Sequence, residues 1–588
     1  MKPGETRLLV PLVVTRKPQL LECPIECECE KAAHKNQTTI AVYCHKGGLN
    51  DSRFGEILIH LPISIETIDV FAPAWRPINK IKWNDNLNRF RELKTLRLVS
   101  CQIPSMSRSV RLPNLELLDL RQNNIDHATM GNFAGLPNLR TLDLSSNKLN
   151  ILPTGVFTYL KSLKTLSLAN NSMQDLPTNL LHGLRNLKSL RLDGNRLPTK
   201  HVNDLFTDVP QLEELFLNDC SINTIANLSL NRVPLLRNLG MGGNNLRHVP
   251  STELEALPHL QILDLSNNAI GDLPPCVLCA NNITHLDLSH NLLGIGKNPI
   301  HEEAFRDTKV EFLDLSHNHL NDFDSNWLGH AQETIKELGF SGNFLRTFPP
   351  EITHSLRNLK RLHMGFNHID WWPIQLPAEY NRLEFFNVSG NQFSNLPDNI
   401  GSILSKVKEL DISRNRLSAL SHAGIVFVND IKKVHLHGNP WDCSCSIQHL
   451  QQHMRERYPL RHLLHYDETQ CNGPALLKGQ PLLNVAEVSD CAVLFGARYG
   501  LTQSSELLIL LAAIVSAAIL LCLIMTAMYY TRERHYKGTY VTREHSRTPL
   551  TMSHPMSLSP SSQVSEPLSP TSTLPPPPPK ASSSFFGI

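Results

Sequence analysis

Thirteen cysteines and 27 histidines carry most of the reactive chemistry in this 588-residue chain. Four cysteines cluster near the start (Cys23, Cys27, Cys29, Cys44) and four lie far downstream (Cys443, Cys445, Cys471, Cys491). Two clusters of four read as two disulfide-closed modules in an oxidising compartment. Two zinc sites are the competing reading, which the tight Cys27-Glu28-Cys29 and Cys443-Ser444-Cys445 spacings fit less well. Counting alone leaves three pairings open in each cluster. Cys276 and Cys279, in PPCVLCA, are additional and predict a local bridge. His317 with His319, and His435 with His437, are spaced as metal-ligand pairs, but both fall at variable positions of a repeat, where solvated surface is the favoured reading. HEEAF, residues 301–305, lacks the second histidine of a zinc-protease helix, and no nucleophile elbow, phosphate loop or kinase signature occurs. The expectation is a binding protein without cofactor or metal. A net charge of +2 gives no reason to propose nucleic acid as a partner.

The elements that position these residues come from an internal repeat. LRTLDLSSN (139–147), LKTLSLANN (163–171) and LKSLRLDGN (187–195) share the pattern LxxLxLxxN/C. It recurs fifteen times from Cys101 to Asn439, mostly 24 residues apart, with a degenerate turn, IETIDVFAP, before it. A turn this short cannot bury its apolar face alone, so the leucines are core and the turns must stack. The asparagine is expected to satisfy backbone groups at the bend. Cys101 and Cys220 take its place as small buried thiols.

One segment sets the topology. Leu507–Met528 is 22 residues without charge, and a bilayer-spanning helix needs roughly 20. Arg532, Arg534, Lys537, Arg543 and Arg547 follow it, whereas Arg498 is the single basic residue in the fifteen before it. That bias predicts a single-pass type I plasma-membrane protein with its N-terminus outside. Six sequons precede the span, at Asn36, Asn50, Asn170, Asn227, Asn282 and Asn387. Residues 1–22 read as a degenerate or truncated signal region, since RLLVPLVV is short and interrupted by Pro11.

The repeat is similar to that of the extracellular leucine-rich-repeat family. The resemblance implies an α/β-type solenoid, a curved parallel β-sheet horseshoe with disulfide caps, one transmembrane helix and a disordered tail. CPIECEC with Cys44 resembles the family's N-terminal cap. NPWDCSC with Cys471 and Cys491 resembles its C-terminal cap. The implied pairings are Cys23–Cys29, Cys27–Cys44, Cys443–Cys471 and Cys445–Cys491. The expected division is an N-cap over 23–64, fifteen or sixteen repeats over 65–439, a C-cap over 440–491, a linker over 492–506, the span over 507–528 and a tail over 529–588.

Such a horseshoe binds proteins on its concave sheet. Apolar residues at positions that face water stand out, namely Phe216, Phe312, Phe366 and Phe385. Aromatic anchors favour interface centres, so Phe312, His363, Phe366 and Phe385 are the candidate protein-binding residues. Packing against neighbouring side chains is the alternative, and a glycan on Asn387 would stand on the same face.

The tail is polar and Ser/Thr/Pro-rich after Pro549 and therefore expected to be disordered, acting through short motifs. RHYKGTYVTRE, residues 534–544, resembles the FERM-binding juxtamembrane segment of glycophorin C and neurexin-like adhesion proteins. Lys537, Gly538, Thr539 and Tyr540 match, with Tyr536 inserted. LPPPPPK (574–580) suits EVH1 or SH3 grooves. The terminal Phe585, Phe586, Gly587 and Ile588 fit a PDZ groove, with Ile588 in the deep pocket. Repeats, caps, span and FFGI together resemble neuronal leucine-rich-repeat transmembrane receptors, most of all those of nematode dendrite morphogenesis. That resemblance implies adhesion partners outside, including L1-type proteins, and actin regulators inside, including a Rac exchange factor bound through PDZ. An epithelial organiser of apical extracellular matrix is the alternative. Affinity capture with residues 531–588 is expected to retain a PDZ protein that is lost when FFGI is removed; equal capture by both baits would refute the PDZ assignment.

Overall fold

The computed structural model describes residues 23–485, apart from 35–36, 175, 178, 198–204, 297, 350–351, 353–354, 373–381, 445–446 and 457–463. It also describes 511–529 and 531–532. The segment 1–22, Asn36, Cys445, Cys491, the linker 492–506 and every tail motif lie outside the described residues. The chain divides into two units, Met1–Cys491 and Ala492–Ile588.

In the first unit, the three residues centred on the first inner leucine of a repeat form a short strand, as in Ile262–Asp264 and His285–Asp287, with the leucine buried and its flanking residues facing out, as the two-residue period of a strand requires. Among the described residues, eighteen strands form one sheet. Glu28–His34 pairs antiparallel with Gln37–Cys44. From Gln37–Cys44 onward the strands run parallel in chain order to Lys433–His435. Register is unshifted between repeats, so Leu263, Leu286, Leu313, Leu338 and Leu362 pair in line. Behind the strands, short turns and 3-10 segments return the chain and bury a second file that includes Phe133, Phe157, Phe206 and Phe305.

The asparagines fasten one coil to the next. Asn291 is 2% exposed. Its Oδ1 accepts from the Ile270 N–H of the preceding repeat at 3.0 Å. Its Nδ2 donates to Leu265 O of that repeat at 2.9 Å and to Leu288 and Ser289 O of its own at 3.0 and 3.2 Å. The Ile270 N–H would otherwise be left unpaired at a buried bend, and the carbonyls are shared with Asn268, Asn318 and the Asn267 N–H. Cysteine replaces this pattern at two turns by a different route. Ile81 N–H goes to Cys101 O and Leu197 N–H to Cys220 O, both at 3.1 Å. Each thiol lies near a carbonyl, Cys101 Sγ at 3.2 Å from Val99 O and Cys220 Sγ at 3.3 Å from Leu192 O. Burial pushes both thiols up to about 12.

The residue before the asparagine takes the left-handed conformation in many repeats, as at Gln122, His290 and Arg414 (φ 57°, 55° and 52°). Glycine fills this place elsewhere, and at Gly390 space matters too. A Cβ there would stand 2.6 Å from the ring of Phe366.

Among the described residues three disulfides close the ends, Cys23–Cys29, Cys27–Cys44 and Cys443–Cys471, and a fourth joins Cys276 to Cys279. Trp441 and Tyr466 are fully buried beneath the C-terminal end. In the second unit, the helix Leu511–Tyr529 is long and apolar enough to cross a membrane.

Asn291→Ala should cost about 1–3 kcal/mol, because it strands the buried Ile270 N–H, while Leu265 O, Leu288 O and Ser289 O keep their other donors. Asn291→Cys should cost clearly less, since the backbone carbonyl can take the N–H as it does at Cys101. Urea unfolding followed by circular dichroism measures both; equal losses would contradict the role given to the asparagine oxygen.

Candidate functional site

Two residues of each triplet face the concave side, one before the inner leucine and one after it. The strands Phe312–Asp314, Glu337–Gly339, Arg361–His363 and Phe385–Asn387 lie side by side. The position before the leucine therefore reads His285, Phe312, Glu337, Arg361, Phe385 and Glu409 across consecutive strands.

The buried carboxylate of Glu337 organises this row. It is 5% exposed. Its Oε1 accepts from Arg361 Nε at 3.1 Å and from His363 Nε2 at 3.0 Å. Burial by itself would raise this carboxyl. The bonds and charges of His363 and Arg361 outweigh it and hold the group below the usual glutamate range. Arg361 is thereby fixed with its guanidinium carbon 4.0 Å from the centroid of the Phe385 ring, within cation–π range. His363 reaches the same ring, centroids 4.7 Å apart. On the other side of Glu337, Phe312 stacks on His285 with centroids 4.2 Å apart and planes 12° from parallel. Burial lowers the imidazole pKa of His285. Both phenylalanines remain half-buried, so each presents part of its ring to solvent.

Of the four residues singled out from sequence, His363 and Phe385 thus come together, linked through Glu337 and Arg361, while Phe312 stands beside Glu337 in the strand register and stacks on His285. Phe366 does not join them. It sits at the turn beyond its strand, at φ 53°, 49% exposed, with the Arg414 guanidinium 5.9 Å from its ring. Glu337, Arg361 and His285 were missed by sequence reasoning. The available signal was register, because all three occupy the same position before the inner leucine as Phe312 and Phe385. Phe216 shows a smaller version of this pairing, with Arg191 at 4.5 Å.

Toward the N-terminal side the adjoining row is acidic. Asp264, Asp287 and Asp314 follow one another on neighbouring strands. Burial, then repulsion from Asp314, pushes Asp287 up to about 7, against the hydrogen bonds from Ser289. Toward the C-terminal side, His435 and its neighbour Lys433 hold Glu409 down to about 2 against the opposing effect of burial. His435 and His437 have centroids 6.5 Å apart and nearly perpendicular planes, and His465 lies 4.9 Å from His437. His317 stacks instead on His290 at 4.1 Å, while His319 turns toward Phe344. Among the described residues no group of three or more His, Cys, Asp or Glu is placed to hold a metal ion.

The sequons fall on different surfaces. Asn387 follows Phe386 on the concave face and accepts from Ser389 N–H at 2.8 Å. Asn170 occupies a left-handed turn, Asn50 caps the helix Asp51–His60, Asn227 lies in the 3-10 turn Ala226–Leu228, and Asn282 donates to Pro258 O.

Leucine rich repeat profiles match residues 91–149, 137–197, 234–293 and 309–331. CD180 antigen of Mus musculus is 26% identical over 320 residues, covering 49% of this chain and 48% of that protein. Chaoptin of Drosophila melanogaster is 29% identical over 244 residues, covering 40% of this chain and 18% of chaoptin. Among solved structures, a leucine-rich-repeat protein of Leptospira interrogans aligns with a TM-score of 0.41 and 22% identity, over 75% of this chain and 90% of that one. The fold is a leucine-rich-repeat solenoid, leucine-rich-repeat models match parts of the chain, and in sequence the chain is similar to CD180 antigen and chaoptin. It spans about half the length of the first and less than a fifth of the second.

The Asp287 environment has a pH consequence. An aspartate whose folded pKa lies above its unfolded value of about 3.9 loses stabilisation as pH rises between the two. Asp287→Asn keeps an acceptor for Ser289 N–H and removes the charge. It should unfold at higher urea than the wild type at pH 8, with the gap narrowing as pH falls below about 7 and closing only near pH 4; a gap independent of pH would contradict the assignment.

Proposed function

We propose that this chain is a neuronal cell-surface receptor that binds an extracellular protein through the concave patch of Phe312, Glu337, Arg361, His363 and Phe385. The observation that supports this most is the buried Glu337, which holds a cation and an imidazole against Phe385 before any ligand arrives. Burying a carboxylate is costly unless it is paired, and the leucine core does not need it. Its effect is to preorganise aromatic and cationic side chains of the kind that anchor protein interfaces. The partner in this reading is an adhesion protein, L1-type among the candidates, and the setting is dendrite or neurite morphogenesis of the nematode type. The helix Leu511–Tyr529 crosses the plasma membrane in type I orientation. The tail then recruits actin regulators, through FFGI to the PDZ domain of a Rac exchange factor and through the juxtamembrane and proline-rich motifs to FERM, EVH1 or SH3 domains.

Full-length protein displayed on cells and titrated with a soluble L1-type ectodomain tests the reading. Phe385→Asp and Arg361→Glu should each weaken binding at least tenfold at unchanged surface level. Phe366→Asp, outside the patch, should change it little. Full binding by the first two variants would move the interface off this patch.

A further inference from the structure

We propose that the Cys276–Cys279 disulfide is a thiol-exchange site, opened and closed by thiolate nucleophiles of the glutathione type without unfolding the solenoid. The bridge lies in the return segment between the strands Ile262–Asp264 and His285–Asp287, away from the concave patch. Its ends lie three positions apart in the sequence, with Val277 and Leu278 between them. Loop-closure entropy grows with loop length, so this bridge restrains the unfolded chain least of the four among the described residues.

The bridge is also not what holds its segment. Cys276 N–H donates to Glu303 O at 2.9 Å, Val277 N–H to Ala304 O at 3.2 Å and Leu273 N–H to Pro299 O at 2.9 Å. Leu273, Val277 and Leu278 are buried on either side. These contacts stay when the sulfurs part. Cys276 is moreover in the left-handed conformation (φ 58°), which a non-glycine residue adopts at a cost.

The surroundings suit the reduced pair. Arg306 Nη2 lies 3.8 Å from Cys276 Sγ, where it can stabilise a thiolate. Arg306 is shared with Glu303 and Asp307, at 3.1 and 3.5 Å, which temper but do not remove its charge. Cys279 Sγ stands 2.8 Å from Arg306 O. A disulfide sulfur has no proton to give that carbonyl, whereas a thiol does. The two sulfurs thus have different roles. An external thiolate attacks Cys279 Sγ, a mixed disulfide forms, and the electron pair of the broken S–S bond leaves on Cys276 beside the guanidinium. A second external thiolate attacks the external sulfur of the mixed disulfide and releases Cys279, which takes a proton from water. The two external thiols supply the two electrons and depart as their own disulfide. A lower thiol pKa on the leaving sulfur speeds the first step.

Exposure separates this bridge from two of the others. Cys27, Cys44, Cys443 and Cys471 are buried, while Cys276 and Cys279 are partly open. Cys23–Cys29 is also reachable and serves as the control for exposure alone.

The test treats the full-length protein with graded glutathione at pH 7.4, quenches with N-ethylmaleimide and follows each cysteine peptide by mass spectrometry. Cys276–Cys279 should open at least tenfold faster than Cys23–Cys29 and both buried bridges, with an unchanged circular dichroism spectrum. Arg306→Ala should slow that opening about tenfold, and Arg306→Lys should restore most of it. In Cys279→Ser, the pH profile of iodoacetamide labelling should place the Cys276 thiol below the ordinary value of about 8.5. Opening no faster than Cys23–Cys29, no effect of Arg306→Ala, or a Cys276 midpoint at or above that value would each overturn the proposal.

Discussion

The structure depends on the pairing of a buried asparagine side chain with backbone groups of two successive coils. The leucines supply the free energy of burial but no direction, because apolar contact is not directional. The amide of Asn291 reaches Ile270 and Leu265 behind it and Leu288 within its own bend, and it fixes how far one turn is displaced from the last. Strand register follows from that. Once register is set, every residue flanking an inner leucine belongs to a column, and side chains from repeats 20 to 30 residues apart in sequence become lateral neighbours. The Glu337 cluster and the aspartate run Asp264–Asp287–Asp314 are both products of this columnar geometry.

Much of this was legible in the sequence, for a physical reason. A stack of equivalent turns repeats its constraints, so leucine and asparagine recur at a spacing that no single element could impose. Fold class and the core leucines follow from it. The concave patch was only half legible. Phe312 and Phe385 drew attention because aromatic rings are conspicuous at wet positions. Glu337 and Arg361 did not, since charged residues are ordinary there, and the burial of Glu337 comes from the rings and cations on neighbouring strands. Phe366 shows the opposite difficulty. It is as aromatic as Phe385, yet it stands just before the repeat asparagine, where the chain turns left-handed. Counting position within the repeat, and not residue type, separates the two.

Cys101 and Cys220 show that the asparagine's task is divisible. Sequence reasoning anticipated small buried residues there, but not that the main chain would assume half of the function. The N–H of the preceding turn is paired by a carbonyl, while the thiol contacts a second one. A repeat can therefore drift from its consensus without losing its place, provided that the backbone pairing is recovered.

The antiparallel hairpin Glu28–His34 with Gln37–Cys44 has a consequence for solubility. A parallel sheet built from like turns is a length of fibre. Nothing within it says where growth must stop, and an exposed last strand would template another chain. The reversal of chain direction at the hairpin ends the translational symmetry, and exposed Glu28, Glu30 and Lys31 line the final edge with charge. The Cys23–Cys29 and Cys27–Cys44 bridges keep that reversed strand from peeling away. The N-terminal module is a polymerisation terminator, and its loss would turn the repeat array into a nucleus for aggregation.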